Sequence, residues 1–128
     1  MAERQLSLVS VVAPMLNEEG TAHVFCERVR EAMEGLPWEL IVVDDGSRDE
    51  TPTILAQFAA ADSRIKVVTL SRNFGHQMAI TAGLDHARGD AIVMIDADLQ
   101  DPPELITSML DHWRAGSDVV YALSLIHI

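Results

Sequence analysis

The sequence of 128 residues is poor in cysteine and in basic side chains. Cys26 is the only cysteine, so no internal disulfide can form, and the chain is not a small secreted scaffold held together by disulfides. Nine Lys and Arg stand against 20 Asp and Glu, which gives a formal net charge of -11. This charge argues against nucleic-acid binding, because such binding depends on cations that neutralise phosphates. An anionic ligand would need a bound cation.

Long apolar runs and the common Gly-rich motifs are also missing. No stretch is long enough to span a bilayer, and the apolar run after the charged N-terminus is too short for a signal peptide with its cleavage site. These two absences and the single cysteine favour a cytoplasmic location. The sequence contains neither a Gly-x-Gly-x-x-Gly motif nor a P-loop, which disfavours a classical dinucleotide site and an NTPase.

Short apolar runs alternate with segments of helical periodicity. Continuously apolar strands separated by helices are typical of a parallel sheet whose two faces are both covered. We therefore predict a single Rossmann-like α/β domain over residues 6–122. The pattern predicts strands over residues 6–14, 38–43, 65–70, 91–95 and 118–121. It predicts helices that end before Gly35, begin at Thr51 as N-cap with Pro52 next, span residues 76–87, and run from 101 to about 115.

Polar residues follow each of the first four predicted strands. Ligands of an open parallel sheet bind beyond the carboxyl ends of its strands, so these residues are expected to meet at one edge. Carboxylates that abut buried strands repel one another and are costly to desolvate, and a divalent cation would relieve both problems. Two Asp residues two positions apart can share one hard cation, although the same spacing also occurs in solvated turns. The residues are Pro14, Asn17 and Glu18, then Asp44 and Asp45, then Arg72 and Asn73, then Asp96 and Asp98.

The remaining candidates are assigned mainly to structure. His23 and Cys26 have a spacing found in zinc sites, but no second pair of ligands accompanies them. His76 follows the third strand and either begins a helix or reaches the site. Three methionines are predicted to fill the core and two histidines to lie on helix surfaces. These are Met78, Met94 and Met109, and His86 and His112.

Four motifs in this order resemble the family-2 glycosyltransferases of the GT-A fold. They are VVAPMLNE (residues 11–18), IVVDDGS (41–47), LSRNFG (70–75) and MIDADLQDPPE (94–104). Within the family, the sequence is similar to the polyprenyl-phosphate sugar transferases, and the resemblance covers residues 6–122. It implies an inverting hexosyltransferase that takes a sugar from a UDP- or GDP-sugar and transfers it to a lipid phosphate.

The resemblance also implies a role for the metal-binding residues. Asp96 and Asp98 match the Asp-x-Asp motif, which places Mg²⁺ or Mn²⁺ on the diphosphate, and Gln100 assists in metal coordination. Because the metal stabilises the leaving group as a Lewis acid, Asp96 and Asp98 are the expected catalytic residues.

Further residues are implied to contact the nucleotide. Pro14, Asn17 and Glu18 would line its pocket, and Asp45 would contact the base or the ribose. Arg72 is an additional contact near the donor.

The end of the sequence departs from the family pattern. Residues 123–128 stand where an acceptor-binding half is expected, so the chain is expected to be a fragment that transfers no sugar by itself. Full-length relatives would act at the cytoplasmic face of the membrane. Two alternatives remain: a donor-binding fragment without catalysis, and a flavodoxin-like Mg²⁺-binding signalling domain. The latter would have its acids after the first and third strands, whereas here they follow the second and fourth.

Overall fold

The computed structural model describes residues 6–98 and 103–114, except for the side chain of His112. Strands and helices alternate along these residues, as the sequence predicts. The strands are β1 (Val9–Met15), β2 (Trp38–Asp44), β3 (Ile65–Thr69) and β4 (Ala91–Met94). The helices are α1 (Ala22–Ala32), α2 (Thr51–Ala61), α3 (His76–His86) and α4 (Leu105–Arg114). Gln100, the strand predicted at 118–121 and the tail 123–128 lie outside the described residues.

The four strands form one parallel sheet in the order β3-β2-β1-β4. In β1, Val9 pairs with Trp38 of β2 on one side and with Ala91 of β4 on the other. The carboxyl ends of all four strands therefore meet at one edge. The predicted parallel α/β fold is confirmed.

Helices cover both faces of the sheet, but unequally. On one face, α1, α2 and α4 share a large apolar cluster, to which they contribute Phe25, Leu55 and Ile106. On the other face, α3 packs against the sheet through a small cluster that contains Ala79. The core therefore lies mostly on the three-helix side. No helix of the described residues is long and apolar enough to cross a membrane.

The predicted N-cap at Thr51 is wrong. Thr51 is the first residue of α2, and Glu50, which precedes the helix, makes no side-chain cap bond. The backbone N–H of Thr51 donates to the Asp49 carboxylate at 2.9 Å. The Thr51 hydroxyl instead accepts a hydrogen bond from the backbone N–H of Glu18, at 2.8 Å. The Thr51 hydroxyl therefore bonds to the loop after β1 and does not cap its own helix.

The methionines differ in their burial. Met109 is buried and Met94 is partly buried, but Met78 is 54% exposed, so its prediction as a core residue is wrong. The side of α3 that faces the sheet carries Ala79 and Gly83, which are spaced by about one helical turn. Met78 lies off this side. His86, on the same helix, is exposed as predicted.

Candidate functional site

A cavity of about 450 Å³ opens at the carboxyl edge of the sheet. Among the residues that line it are five to which the family resemblance assigns a role, and they come from the ends of β1, β2 and β4. The loop after β3 completes the wall with Asn73, Gly75 and His76. Each strand end thus contributes to the cavity. The five predicted residues are Pro14, Glu18, Asp45, Asp96 and Asp98.

Two other described residues with a role implied by the resemblance, Asn17 and Arg72, do not line this cavity. The side chain of Asn17 accepts a hydrogen bond from the backbone N–H of Arg48 at 2.9 Å, and Asn17 itself has a left-handed φ of 53°. Arg72 lines a neighbouring cavity of about 330 Å³, with its guanidinium carbon 4.7 Å from the centre of the Phe74 ring. Gln100 lies outside the described residues. Through its bond to the Arg48 N–H, Asn17 shapes the loop that carries Glu18.

The loop after β1 is tied to the loop after β2 by several hydrogen bonds. The backbone N–H of Asn17 donates to the Ser47 hydroxyl at 2.9 Å, and that of Glu19 donates to Asp49 at 3.1 Å. In return, the Glu19 carboxylate accepts from the backbone N–H of Glu50 at 3.2 Å. Bonds in both directions fix the two loops relative to each other, so this wall of the cavity is preformed.

Asp45 lies at the floor of the cavity and is only 4% exposed. Its carboxylate accepts hydrogen bonds from the backbone N–H groups of Phe74 at 2.8 Å and Gly75 at 3.1 Å. Its own backbone N–H donates to the carbonyl of Met15 at 2.9 Å. Asp45 therefore joins the loops after β1, β2 and β3, a contact that the spacing of residues in the sequence does not reveal.

His76 is a site residue whose role the sequence leaves open. It is the first residue of α3 and also lines the cavity, so both alternatives hold. Its Nε2 atom lies 3.9 Å from Oδ1 of Asp96. The position of His76 just after the third strand is the signal in the sequence that points to it.

The carboxylates of Asp96 and Asp98 suit a metal ion that is also coordinated by a bound ligand. Asp96 and Asp98 line the cavity as a pair, and the described residues contain no group of three or more His, Cys, Asp or Glu placed to hold a metal ion. Mg²⁺ is commonly bound by one or two carboxylates together with substrate phosphates and water, without a cage made only of protein. A carboxylate pair at the mouth of a polar cavity meets this requirement.

The residues His23 and Cys26 serve packing instead of metal binding. The Cys26 side chain is fully buried, and burial raises the pKa of the thiol to about 12. The His23 ring packs edge-on against Phe58, with 5.1 Å between ring centres.

Comparison with known proteins adds the family. Residues 10–127 match the family Glycosyl transferase family 2. An uncharacterised glycosyltransferase of Bacillus subtilis is 51% identical over 89% of this chain and 36% of its own length. A bactoprenol glucosyl transferase of Shigella phage SfV is 44% identical over 89% of this chain and 38% of its own length. The chain thus spans little more than a third of the length of these relatives.

A solved structure shares the fold. Glucosyl-3-phosphoglycerate synthase from Mycobacterium tuberculosis, in complex with Mn²⁺, UDP and glucosyl-3-phosphoglycerate, superimposes with a TM-score of 0.69 at 30% identity. The likeness covers 86% of this chain and 40% of that one. The fold is therefore GT-A, and with the family match over most of its residues, this chain belongs to glycosyl transferase family 2.

Proposed function

We propose that this chain binds a nucleoside-diphosphate sugar in the 450 Å³ cavity, as the donor side of a polyprenyl-phosphate sugar transferase. The observation that carries the proposal is the meeting of four strand ends around one cavity, with the Asp96 and Asp98 pair at its edge. The family match and the fold of a relative solved with UDP and Mn²⁺ support it.

The charge of the cavity supports a metal-dependent donor. Among the described residues that line it are four carboxylates, and His76 is the only one of these lining residues that could carry a positive charge. A diphosphate brought close to uncompensated carboxylates would be repelled. A divalent cation, Mg²⁺ or Mn²⁺, held by Asp96 and Asp98 would offset the charge of this pair and attract the diphosphate, and Gln100 is proposed to supply a further oxygen. The four carboxylates belong to Glu18, Asp45, Asp96 and Asp98.

The nucleoside is assigned to the other end of the cavity. Pro14 and Glu18 form the wall there, and Asn17 holds the conformation of their loop through its bond to Arg48. Asp45 uses each carboxylate oxygen for one backbone N–H, and each oxygen keeps a second lone pair that can accept from the base or the ribose. Arg72 is proposed as a contact from the neighbouring cavity.

The proposed acceptor is a polyprenyl phosphate, because bactoprenol glucosyl transferase is 44% identical to this chain. A phosphate oxygen is already anionic near neutral pH, so the acceptor needs no dedicated general base. The metal, when bound, would neutralise charge on the nucleoside diphosphate as it leaves. Attack from the opposite face of the sugar would invert the anomeric centre. The full-length protein is proposed to act at the cytoplasmic face of the membrane.

Calorimetry with UDP-glucose and GDP-mannose, with and without Mn²⁺, tests the proposal. We expect binding to require Mn²⁺ and Asp98→Ala to weaken it at least roughly tenfold, because the diphosphate would face carboxylates whose charge is no longer balanced. Asp111→Ala, on the exposed side of α4, is the matched control and should bind as the wild type does. Equal donor affinity in EDTA would contradict the proposal.

A sugar-transfer assay, run in addition to the calorimetry, separates the alternative of donor binding without catalysis. Such a fragment binds the donor and metal normally but transfers no sugar to a polyprenyl phosphate. Transfer requires the acceptor oxygen to be held in line with the anomeric carbon, which is a task of positioning. Donor binding by this chain and transfer by a full-length relative therefore need separate assays.

A further inference from the structure

We propose that Asp45 is a positioning residue that holds the loop of residues 72–76 against the metal and diphosphate end of the cavity. The inference rests on the proposed function, which assigns that end to Asp96 and Asp98. The proposed function gives Asp45 a contact with the nucleoside. The inference adds a second effect of Asp45, on the binding of the diphosphate at the opposite end of the donor.

The anchoring contact is a pair of hydrogen bonds to a charged group. Oδ1 of Asp45 accepts from the N–H of Phe74 and Oδ2 from the N–H of Gly75. Bonds of this kind are stronger than those between neutral partners, and water competes poorly with them at a site that is 4% exposed. One buried side chain thus holds two consecutive backbone groups of the loop, the second of which also donates to Oδ1 of Asn73 at 3.0 Å.

The residue after Asp45 brings the same loop into close contact. Gly46 has a φ of +81°, and a Cβ built on it would lie 2.6 Å from the carbonyl carbon of Arg72 and 2.6 Å from the amide nitrogen of Asn73. Real side chains do not tolerate such distances, so the loop after β3 rests directly on the turn after β2. The Asp45 bonds and the Gly46 contact fix the same segment.

This loop carries side chains to the metal end of the site. Asn73 and His76 both line the cavity, and Nε2 of His76 lies 3.9 Å from Oδ1 of Asp96. A loop released from Asp45 would change the surroundings of Asp96 without any change in the Asp-x-Asp motif itself.

The adjacent residue offers a matched control. Asp44 is also buried at the end of β2, but its carboxylate accepts from the N–H of Ser47 at 2.9 Å, within its own turn. It lines the neighbouring 330 Å³ cavity and not the 450 Å³ cavity, and asparagine keeps an acceptor oxygen for the Ser47 N–H. Asp44→Asn therefore makes the same chemical change one residue away without releasing the loop after β3.

The test compares Asp45→Asn with Asp44→Asn, using Mn²⁺ with inorganic pyrophosphate as one probe and uridine monophosphate as the other. Asparagine has one acceptor oxygen, and its amide group would face an N–H donor, so one loop bond must be lost. We expect Asp45→Asn to weaken pyrophosphate binding roughly tenfold and to speed amide exchange at Phe74 and Gly75. Asp44→Asn should change neither.

Two results would overturn the inference. The first is an Asp45→Asn protein that loses affinity for uridine monophosphate alone, with unchanged pyrophosphate binding and amide exchange, because Asp45 would then be a nucleoside contact only. The second concerns Gly46→Ala, which displaces the loop without touching the carboxylate and replaces Asp45→Asn if that variant does not fold. Unchanged pyrophosphate affinity in Gly46→Ala also refutes positioning.

Failure of the proposed function gives a different result. If the wild type binds neither probe, donor binding is refuted. The amide exchange rates of Phe74 and Gly75, measured without ligand, still decide whether Asp45 holds the loop.

Discussion

Gly83 sets how closely α3 approaches the sheet. A Cβ at this position would lie 2.4 Å from Cγ1 of Val12 and 3.1 Å from Cγ2 of Val43. Both neighbours are β-branched, so their side chains have few other rotamers to adopt. A glycine inside a helix has a cost in stability, and here the close packing explains why it is present.

Gly83→Ala is expected to destabilise the fold. Overpacking costs about 1–3 kcal/mol, and the better helix propensity of alanine offsets up to about 1 kcal/mol of this. Urea unfolding should show a net loss of about 1–2 kcal/mol. Gly20→Ala is the control, because nothing lies within 4 Å of its added Cβ. An equal or higher stability of Gly83→Ala would show that the sheet and α3 can move apart without loss.

At this scale the sequence predicts where a side chain lies better than what it contacts. The ends of buried strands placed Asp45, Asp96 and Asp98 at one edge of the sheet, and the structure brings all three to one cavity. The partners of Asp45 are Phe74 and Gly75, which come from a separate loop. Contacts between loops depend on how neighbouring strands are aligned, and no local pattern encodes that alignment.

The strands are joined at their amino ends by a buried carboxylate, that of Glu39 in β2. It accepts hydrogen bonds from the Ser10 hydroxyl at 2.5 Å, from Lys66 Nζ at 2.7 Å and from the backbone N–H of Arg88 at 2.8 Å. The Ser10 hydroxyl in turn accepts from the backbone N–H of Gly89 at 2.7 Å. This network connects β1, β2, β3 and the turn before β4, at the opposite end from the cavity.

The network makes stability depend on pH. Burial by itself would raise the pKa of Glu39, but the hydrogen bonds from Lys66, Ser10 and the Arg88 amide outweigh it and lower the pKa below the ordinary value of 4.5. A pKa that is lower in the folded state stabilises the fold fully above pH 4.5. That contribution is lost as the pH falls from 4.5 through the folded-state pKa.

Glu39→Gln should therefore lower the free energy of unfolding near neutral pH and make it depend less on pH in the acid range. We expect a loss of about 1–3 kcal/mol at pH 7, since a hydrogen-bonded charge is removed from a buried site. Urea unfolding between pH 7 and pH 3 measures both effects, and Glu31→Gln on the exposed side of α1 is the control. If the free energy of unfolding changed with pH by the same amount in the wild type and in Glu39→Gln, Glu39 would not contribute in this way.

Element types follow from the sequence, whereas some element ends do not. The apolar runs predicted β2 and β3 to within one residue, because buried parallel strands are continuously apolar. Threonine is favoured at N-caps, yet the Thr51 hydroxyl accepts a hydrogen bond from the backbone N–H of Glu18 in the loop after β1. Met78 shows the same limit, because apolar spacing alone does not reveal that α3 contacts the sheet through Ala79 and Gly83.

At the scale of the whole molecule, the outer edge of β4 combines an open strand with an exposed apolar side chain in the described part of the chain. Among the described residues β4 pairs only with β1, and Ile92 of β4 is 41% exposed. An unpaired strand edge with an exposed apolar side chain promotes association between copies.

We expect this chain to self-associate through that edge and Ile92→Lys to reduce the association, because a lysine at a strand edge disfavours pairing. Sedimentation velocity over a range of concentrations measures the effect. Val24→Lys is the control, since Val24 is similarly exposed but lies on α1. An equal effect of both variants would assign the association to net charge instead of the β4 edge.

The overall architecture was predictable in class but not in arrangement. Alternating strands and helices require a parallel sheet, yet the apolar pattern does not say that β1 lies between β2 and β4. Nor does it say that, of the four described helices, three gather on one face and α3 covers the other. Both features arise from packing between segments far apart in the chain.

The strand order has a consequence for how the chain folds. β1, β2 and β3 are neighbours both in sequence and in the sheet, so each of their pairings closes over one helix. The pairing of Val9 with Ala91 closes a loop that contains three helices and two strands, and closing longer loops costs more entropy. Contacts of high sequence separation form slowly. Asp96 and Asp98, which follow β4, would then reach the cavity only in the last step, after the wall that faces them has formed.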